Sequence, residues 1–376
     1  MSSSKSPDVI ICGSGAVGAA LGYYLSNLQL RVLIVESHSI ARGASGFAAG
    51  IISAPGPFAT GPMGELHSLS FESHRELASS LPEQTGLEYD FDECPMLSVA
   101  DSASEARALR SAARLLTDKG AGKSSIRWID SGDVPNVCPW IDLPVSGGLL
   151  NTDSALVDPR KFTESLVAAA RRLGASTRHA RVTGITQSGG RVTGVELGGE
   201  TVPAGSVVFA MGPWTAEASD WLDFNIPVYP LKGQILRLRV DGPQHQAGFS
   251  NGEGDYLVPK RSGLLYVGTT EENVGFDTSP TGKARRSILA FANRYVSIVS
   301  EAEVVEQTVC LRPMSRDEIP IMGRVPGTEG AYVATGHGRS GILLSTGSGR
   351  AMAELIAGGR SECLNLTPFG LARFIQ

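Results

Sequence analysis

A chain of 376 residues, 42% of them hydrophobic, is long enough for a substantial core and for two domains or one large one. Its 33 basic and 38 acidic residues give a formal charge of −5, which points away from nucleic acid and from a membrane surface as partners. Five cysteines (Cys12, Cys94, Cys138, Cys310, Cys363) show no CxxC pair and no ligand spacing with the six histidines, so neither a disulfide nor a metal site is expected.

The apolar run Val9 to Ile11 reads as a strand. It is too short for the core of a secretion signal and runs straight into glycines. No apolar run approaches membrane-spanning length, so a soluble, cytoplasmic protein is expected. The strand enters Gly13-Ser14-Gly15-Ala16-Val17-Gly18, and a helix follows with apolar residues at Ala16, Val17, Ala20, Leu21, Tyr24 and Leu25. A second strand, Arg31 to Val35, stops at Glu36-Ser37. Gly13 suits a tight turn, Gly15 lets a pyrophosphate approach the backbone, and Gly18 allows close helix packing. The amides opening the helix offer a positive end to phosphates. Glu36 follows Gly18 by 18 residues, the distance at which an acid accepts ribose hydroxyls and repels a 2′-phosphate. The segment predicts a dinucleotide site and leaves NAD and FAD both open.

Residues 42–50, Arg42-Gly43-Ala44-Ser45-Gly46-Phe47-Ala48-Ala49-Gly50, are poor in bulk and precede Ile51-Ile52, which suits backbone lying against a flat cofactor. Residues 65–80 and 104–119 read as amphipathic helices, and a Pro- and Gly-punctuated stretch covers 120–148. Asp158-Pro159 starts a helix that runs to about Gly174, with an acid at the N-cap and proline at the first position. Short strands follow at 176–182, 184–187 and 191–197, and another from Ser206 to Ala210 stops at Gly212-Pro213-Trp214. The stretch 226–270 is rich in strands, and a helix spans about 281–297. Arg171-Arg172 and Arg285-Arg286 read as solvated helix faces.

The last unit repeats the strand–glycine–helix pattern: Ala331 to Ala334, then Gly336-His337-Gly338-Arg339-Ser340-Gly341, then a helix over 342–357. Two glycine-opened helices at opposite ends of the chain imply a discontinuous nucleotide domain around a strand-rich middle. A nicotinamide enzyme rarely needs its last helix at the cofactor. A flavin does, because a helix N-terminus stabilises the anionic reduced ring. FAD is therefore favoured over NAD.

These segments together resemble the D-amino-acid oxidase family of flavoproteins, nearest its glycine oxidase and D-amino-acid dehydrogenase branches. The likeness extends through Val207–Trp214, Pro230-Leu231-Lys232-Gly233-Gln234, Tyr256-Leu257-Val258-Pro259, Val274-Gly275-Phe276-Asp277 and Leu311-Arg312-Pro313. It implies an α/β fold: a Rossmann-like FAD-binding domain from residues 1–85, 150–215 and 305–376, and a β-sheet-rich α+β substrate domain from 86–149 and 216–304. It places Ile51 and Ile342 at the flavin, Val182 at the adenine end, and Ala210 and Gly212 beside the cofactor, with Trp214 packed in the core below it. It makes Arg312 the partner of a substrate carboxylate, Tyr256 a second donor to it, and Arg339 a neighbour of ring and substrate. Lys232 becomes a structural charge at the domain junction, and His337 a packing or flavin-edge residue.

The implied reaction is hydride removal from carbon beside an amine, followed by imine hydrolysis. The amine reacts in its neutral form, which a site without a nearby carboxylate favours. Oxygen or another acceptor then reoxidises the flavin. A dehydrogenase feeding a quinone or carrier protein, an NAD enzyme and a noncatalytic dinucleotide-binding subunit are the alternatives, and a homo-oligomer is compatible with all of them. Gly254 stands where relatives often have histidine, Glu318 adds bulk and charge near the expected pocket entrance, and Glu271 replaces a residue apolar in some members. These departures suggest a substrate other than glycine, larger or partly cationic. Cys310 sits where sarcosine oxidase-like members tether their flavin, but Leu311-Arg312-Pro313 follows the noncovalent branch, so noncovalent FAD is expected.

Overall fold

Val9–Cys12 is buried along its whole length, as the apolar centre of a parallel sheet must be. In the computed structural model, which describes residues 6–56, 59–118, 125–241 and 247–375, this strand lies inside a six-stranded sheet. The order across it is Ile321–Arg324, Ala331–Thr335, Ser206–Phe209, Val9–Cys12, Val32–Glu36, Ser176–His179, and only the first pair is antiparallel. Strand alternation sends Val9 and Ile11 to one face, Ile10 and Cys12 to the other.

Among the described residues, six long helices follow in chain order: α1 (Ala16–Asn27), α2 (Gly61–Thr85), α3 (Ala103–Asp118), α4 (Pro159–Arg172), α5 (Gly282–Tyr295) and α6 (Gly341–Gly358). Helices α1, α2, α4 and α6 share a core with one face of the six-stranded sheet. A three-stranded meander, Gly184–Ser188, Arg191–Leu197 and Glu200–Pro203, packs on the other face. Its last strand went unread in the sequence because it is short and mostly exposed.

The two ends of the chain meet where α1 packs against α6. A Cβ on Gly349 would lie 2.8 Å from the Ala20 carbonyl carbon, and one on Gly347 would lie 2.4 Å from Ser70 Oγ in α2. Only glycine lets these helices approach so closely. The N-cap reading at Asp158 holds: its carboxylate accepts the amides of Arg160 and Lys161, both at 3.0 Å. Arg172 is more than a solvated charge, since its guanidinium donates to the Gln84 and Thr85 carbonyls at the end of α2.

The second large sheet has eight strands: Glu303–Ser315, Val228–Arg239, Leu264–Gly268, Tyr256–Pro259, Gly248–Ser250, Met96–Val99, Gly147–Asn151 and Ile126–Asp130. One face packs on α5. The other carries Met96, Ile235, Val258 and Tyr266, which close over Ala49 and Leu156. Glu303–Ser315 pairs along its length with Val228–Arg239, so the domain boundary expected at 305 falls inside a strand of this sheet. Met1–Lys5, residue 119 of the second amphipathic helix and residues 120–124 lie outside the described residues. No helix among the described residues is long and apolar enough to cross a membrane.

Buried His74 in α2 donates through Nε2 to the carbonyls of Ile342 and Leu343, at 3.1 and 3.0 Å, in the first turn of α6. Burial pushes its pKa down from 6.5 to about 4. The unfolded chain thus takes up this proton at higher pH than the folded one. Its contribution is complete above pH 6.5 and is lost as the pH falls towards 4. Denaturant melts at pH 7.5 and 4.5 should show that loss, and His74→Gln should shrink it; an unaltered pH slope in the variant would place the acid sensitivity elsewhere.

Candidate active site and cofactor cavity

A cavity of about 930 Å3 runs between the two large sheets, near the upper end of the usual range for cofactor and ligand sites. At one end are Gly13, Gly15, Ala16, Val17, Glu36, Ser37 and Val182, where the first strand enters α1. Gly13 has φ +107°, and a Cβ there would lie 2.4 Å from the Ala210 carbonyl oxygen. A Cβ on Gly18 would lie 2.2 Å from the Gly13 oxygen, so this glycine shapes the turn from behind the cavity wall. Ser14 and Gly336 also lie outside the wall. The Glu36 carboxylate accepts the Ser14 amide at 2.8 Å and the Ser14 hydroxyl at 2.9 Å through Oε2, and the His38 amide at 2.9 Å through Oε1. These bonds hold it at the cavity edge.

Arg42, Gly43, Ala44, Ser45, Ala49, Gly50 and Ile51 form the middle of the wall with Ala210, Gly212 and Trp214. Ser45 Oγ accepts the Ala16 amide at 2.9 Å, tying this loop to the start of α1. Trp214 is not core packing: the residue is 37% exposed and its ring lies tilted by 38° against Phe276, with centroids 5.5 Å apart, at the rim. His337, Gly338, Arg339, Ser340, Gly341 and Ile342 bring the opening turn of α6 to the same cavity. His337 is buried and bonded through Nε2 to Ser348 Oγ at 2.9 Å, and burial lowers its pKa to about 4. It is neutral, held by Ser348, and part of the cavity wall.

The far end holds Tyr256, Cys310, Arg312 and Gly254. Arg312 is buried, with Nη1 donating to the Thr270 carbonyl at 3.0 Å and Nη2 to Thr269 Oγ1 at 2.6 Å. Its guanidinium lies over Gly233 of the neighbouring strand, where a Cβ would come within 2.4 Å of Cζ. That clearance is the physical content of the Lys232-Gly233-Gln234 motif. Burial pushes the Tyr256 hydroxyl upward, so it remains a proton-bearing donor. Arg339 pairs with Glu271 through Nη2 at 2.5 Å and Nε at 2.6 Å, and Glu271 stands 3.9 Å from Arg312 Nη1. Gly254, with φ +85°, leaves the space for this arginine, since a Cβ would lie 2.3 Å from Nη1.

The loop carrying Glu271 is anchored from beneath. Buried Lys232 donates to Asp277 at 2.8 Å, and buried Gln234 donates to Glu272 at 2.6 Å. Lys232 is thus the structural charge expected of it. Glu318, by contrast, is exposed and outside the cavity wall; its φ of +62° places it in a turn where glycine is at ease.

Lys260 went unread. It sits half-buried at the end of Tyr256–Pro259 and donates to the Ala49 carbonyl and, at 3.0 Å, to that of Val157. It thereby links the eight-stranded sheet to the loop lining the cavity. Burial lowers its pKa to about 8. His67 also lines the cavity, bonded through Nε2 to the Ser53 carbonyl at 2.9 Å. Neither residue belongs to a motif that sequence reading could catch.

The donor set fits a flavin dinucleotide. Two helix N-termini open on one cavity, the Glu36 carboxylate stands at its edge, and small residues line the length between them. Fold and site together define a Rossmann-type flavoprotein with a β-sheet lobe over its cofactor. Residues 8–355 match the model of the DAO family, FAD dependent oxidoreductase, and the chain belongs to that family. It is 31% identical to glycine oxidase of Geobacillus kaustophilus (strain HTA426) over 373 residues, 98% of this chain and 97% of that one. Glycine oxidase of Pseudomonas putida is 29% identical, with 94% and 95% covered. The crystal structure of the Geobacillus kaustophilus glycine oxidase superposes with a TM-score of 0.92 at 29% identity, covering 98% and 99% of the two chains.

Cys310 lines the cavity, and burial pushes its thiol pKa upward, which keeps the reactive thiolate scarce. Acid precipitation of the holoprotein should leave the yellow colour in the supernatant; a yellow pellet would show a covalent tether.

Proposed function

We propose that the chain oxidises the C–N bond of an amino acid or related amine that carries one carboxylate. The observation that carries this reading is Arg312: a buried guanidinium with its orientation set by Thr269 and Thr270, in the same cavity as the dinucleotide motif. Each terminal nitrogen has donated one hydrogen to protein and keeps another for a ligand, the fork that grips a carboxylate. Tyr256, kept protonated, supplies a further donor at the same end of the cavity.

FAD, when bound, supplies the hydride acceptor for this chemistry. The protein's part is alignment and exclusion of water. Arg312 and Tyr256 hold the carboxylate, which fixes the α-carbon relative to the cofactor cavity. Leu311 and Ile235 flank that end with apolar surface. The nitrogen must be neutral when its carbon gives up hydride. Glu271, 3.9 Å from Arg312, is bound to Arg339, and this pairing limits its stabilisation of an ammonium group. His337, neutral and committed to Ser348, is not needed as a base. The resulting imine hydrolyses to a carbonyl compound and ammonia or an amine.

Oxygen as the oxidant, with release of hydrogen peroxide, is supported by the likeness to the two glycine oxidases. In this reading the FAD lobe draws on residues 1–85, 150–215 and the chain after Ser315, and the remainder forms the substrate lobe. The six-stranded and eight-stranded sheets support that division.

Arg312→Leu should raise KM for carboxylate substrates by roughly 10- to 100-fold, the loss expected for a charge-assisted hydrogen-bonded pair, and should alter KM for the corresponding amides far less. Equal effects on both series would remove Arg312 from the carboxylate site. Peroxide formed on adding substrate distinguishes oxygen from another acceptor.

A further inference from the structure

We propose that Glu271 is a specificity-determining residue that restricts the site to substrates with a single anionic group. The inference rests on the reading of Arg312 as the carboxylate partner. Two guanidiniums, Arg312 and Arg339, line this end of the cavity, and Glu271 stands behind them, outside the wall. One oxygen of Glu271 lies 2.5 Å from Arg339 Nη2 and 3.9 Å from Arg312 Nη1. The carboxylate therefore neutralises Arg339 while leaving Arg312 to the ligand.

This pairing is built into the loop. Its neighbour Thr270 gives its carbonyl to Arg312 and its hydroxyl to Glu272 at 2.8 Å. On the other side, the Glu272 amide donates to the Lys232 carbonyl at 2.9 Å, and the Lys232 amide returns a bond to the Glu272 carbonyl at 3.0 Å. Both flanking residues are thus fixed, so Glu271 cannot be displaced without moving the support of Arg312. Gly254 supplies the space in which Arg339 meets it. Asp255, the other acid nearby, is turned to the Thr269 amide at 3.0 Å.

The pair is about 40% exposed, and an ion pair of that kind adds little to fold stability. Its effect falls on the charge of the ligand. A second carboxylate reaching Arg339 would meet Glu271 at close range, and like charges so placed disfavour the wrong partner. A partly cationic substrate gains little, because Glu271 Oε1 is already committed to Arg339.

The test titrates acetate and malonate into the holoprotein at pH 8, with binding read from the flavin absorbance, and compares turnover of sarcosine and iminodiacetate. Glu271→Gln should improve malonate binding relative to acetate by about tenfold, and iminodiacetate kcat/KM relative to sarcosine by a similar factor. Glu271→Asp should keep the parental ratios, and Glu271→Gln combined with Arg339→Gln should lose the gain, since the effect runs through Arg339. Ratios that stay constant in Glu271→Gln while acetate still binds through Arg312 would overturn the proposal. Acetate binding indifferent to Arg312→Leu would instead remove the function reading on which it rests.

Discussion

Backbone must approach backbone at a few glycines for any of this architecture to exist. Gly13 lies against the Ala210 carbonyl, and Gly349 lies against the turn of α1 at Ala20 and Leu21. A side chain at either place would separate the first strand from its neighbour, or α6 from α1. These contacts bring two helix N-termini from opposite ends of the chain to one cavity, where their partial positive charge meets an anionic cofactor. The discontinuous organisation follows from that requirement.

The substrate end obeys a different constraint, the cost of burying charge. A buried guanidinium is tolerated only when its donors are engaged and its charge is answered. Arg312 meets the first condition with Thr269 and Thr270, and a carboxylate ligand would meet the second. Beneath it, buried Lys232 and Gln234 tie down the loop that carries Glu271 and Phe276. Lys260 performs the matching task across the interface, joining the eight-stranded sheet to Ala49. Polar groups in this part of the molecule are spent on holding loops in place, so the geometry offered to a ligand is prearranged.

Much of this was legible from residues alone. The strand–glycine–helix signals at both ends depend on local periodicity and backbone sterics, and Asp158-Pro159 announces a helix start in two residues. Trp214 was misjudged because an aromatic residue after a strand suits a core as well as a rim; only its meeting with Phe276, distant in sequence, distinguishes them. Glu318 was placed near the pocket entrance by comparison with the pattern of relatives, but it lies in a turn with φ in the left-handed region, exposed and outside the cavity wall. Lys260 went unread, since its partners are carbonyls more than a hundred residues away.

By itself the sequence determined the cofactor class and the α/β character, because both are written in short-range patterns of glycine, acid and apolar residues, whereas Arg312 as candidate carboxylate partner came only from the family resemblance. Tertiary structure alone decided how charge is shared between Arg312, Arg339 and Glu271, why Gly254 and Gly233 must lack side chains, and that Lys260 ties the eight-stranded sheet to the cavity loop at Ala49. Those are matters of distance between segments far apart along the chain. Electrostatic and steric energies depend on that distance, which no local pattern encodes.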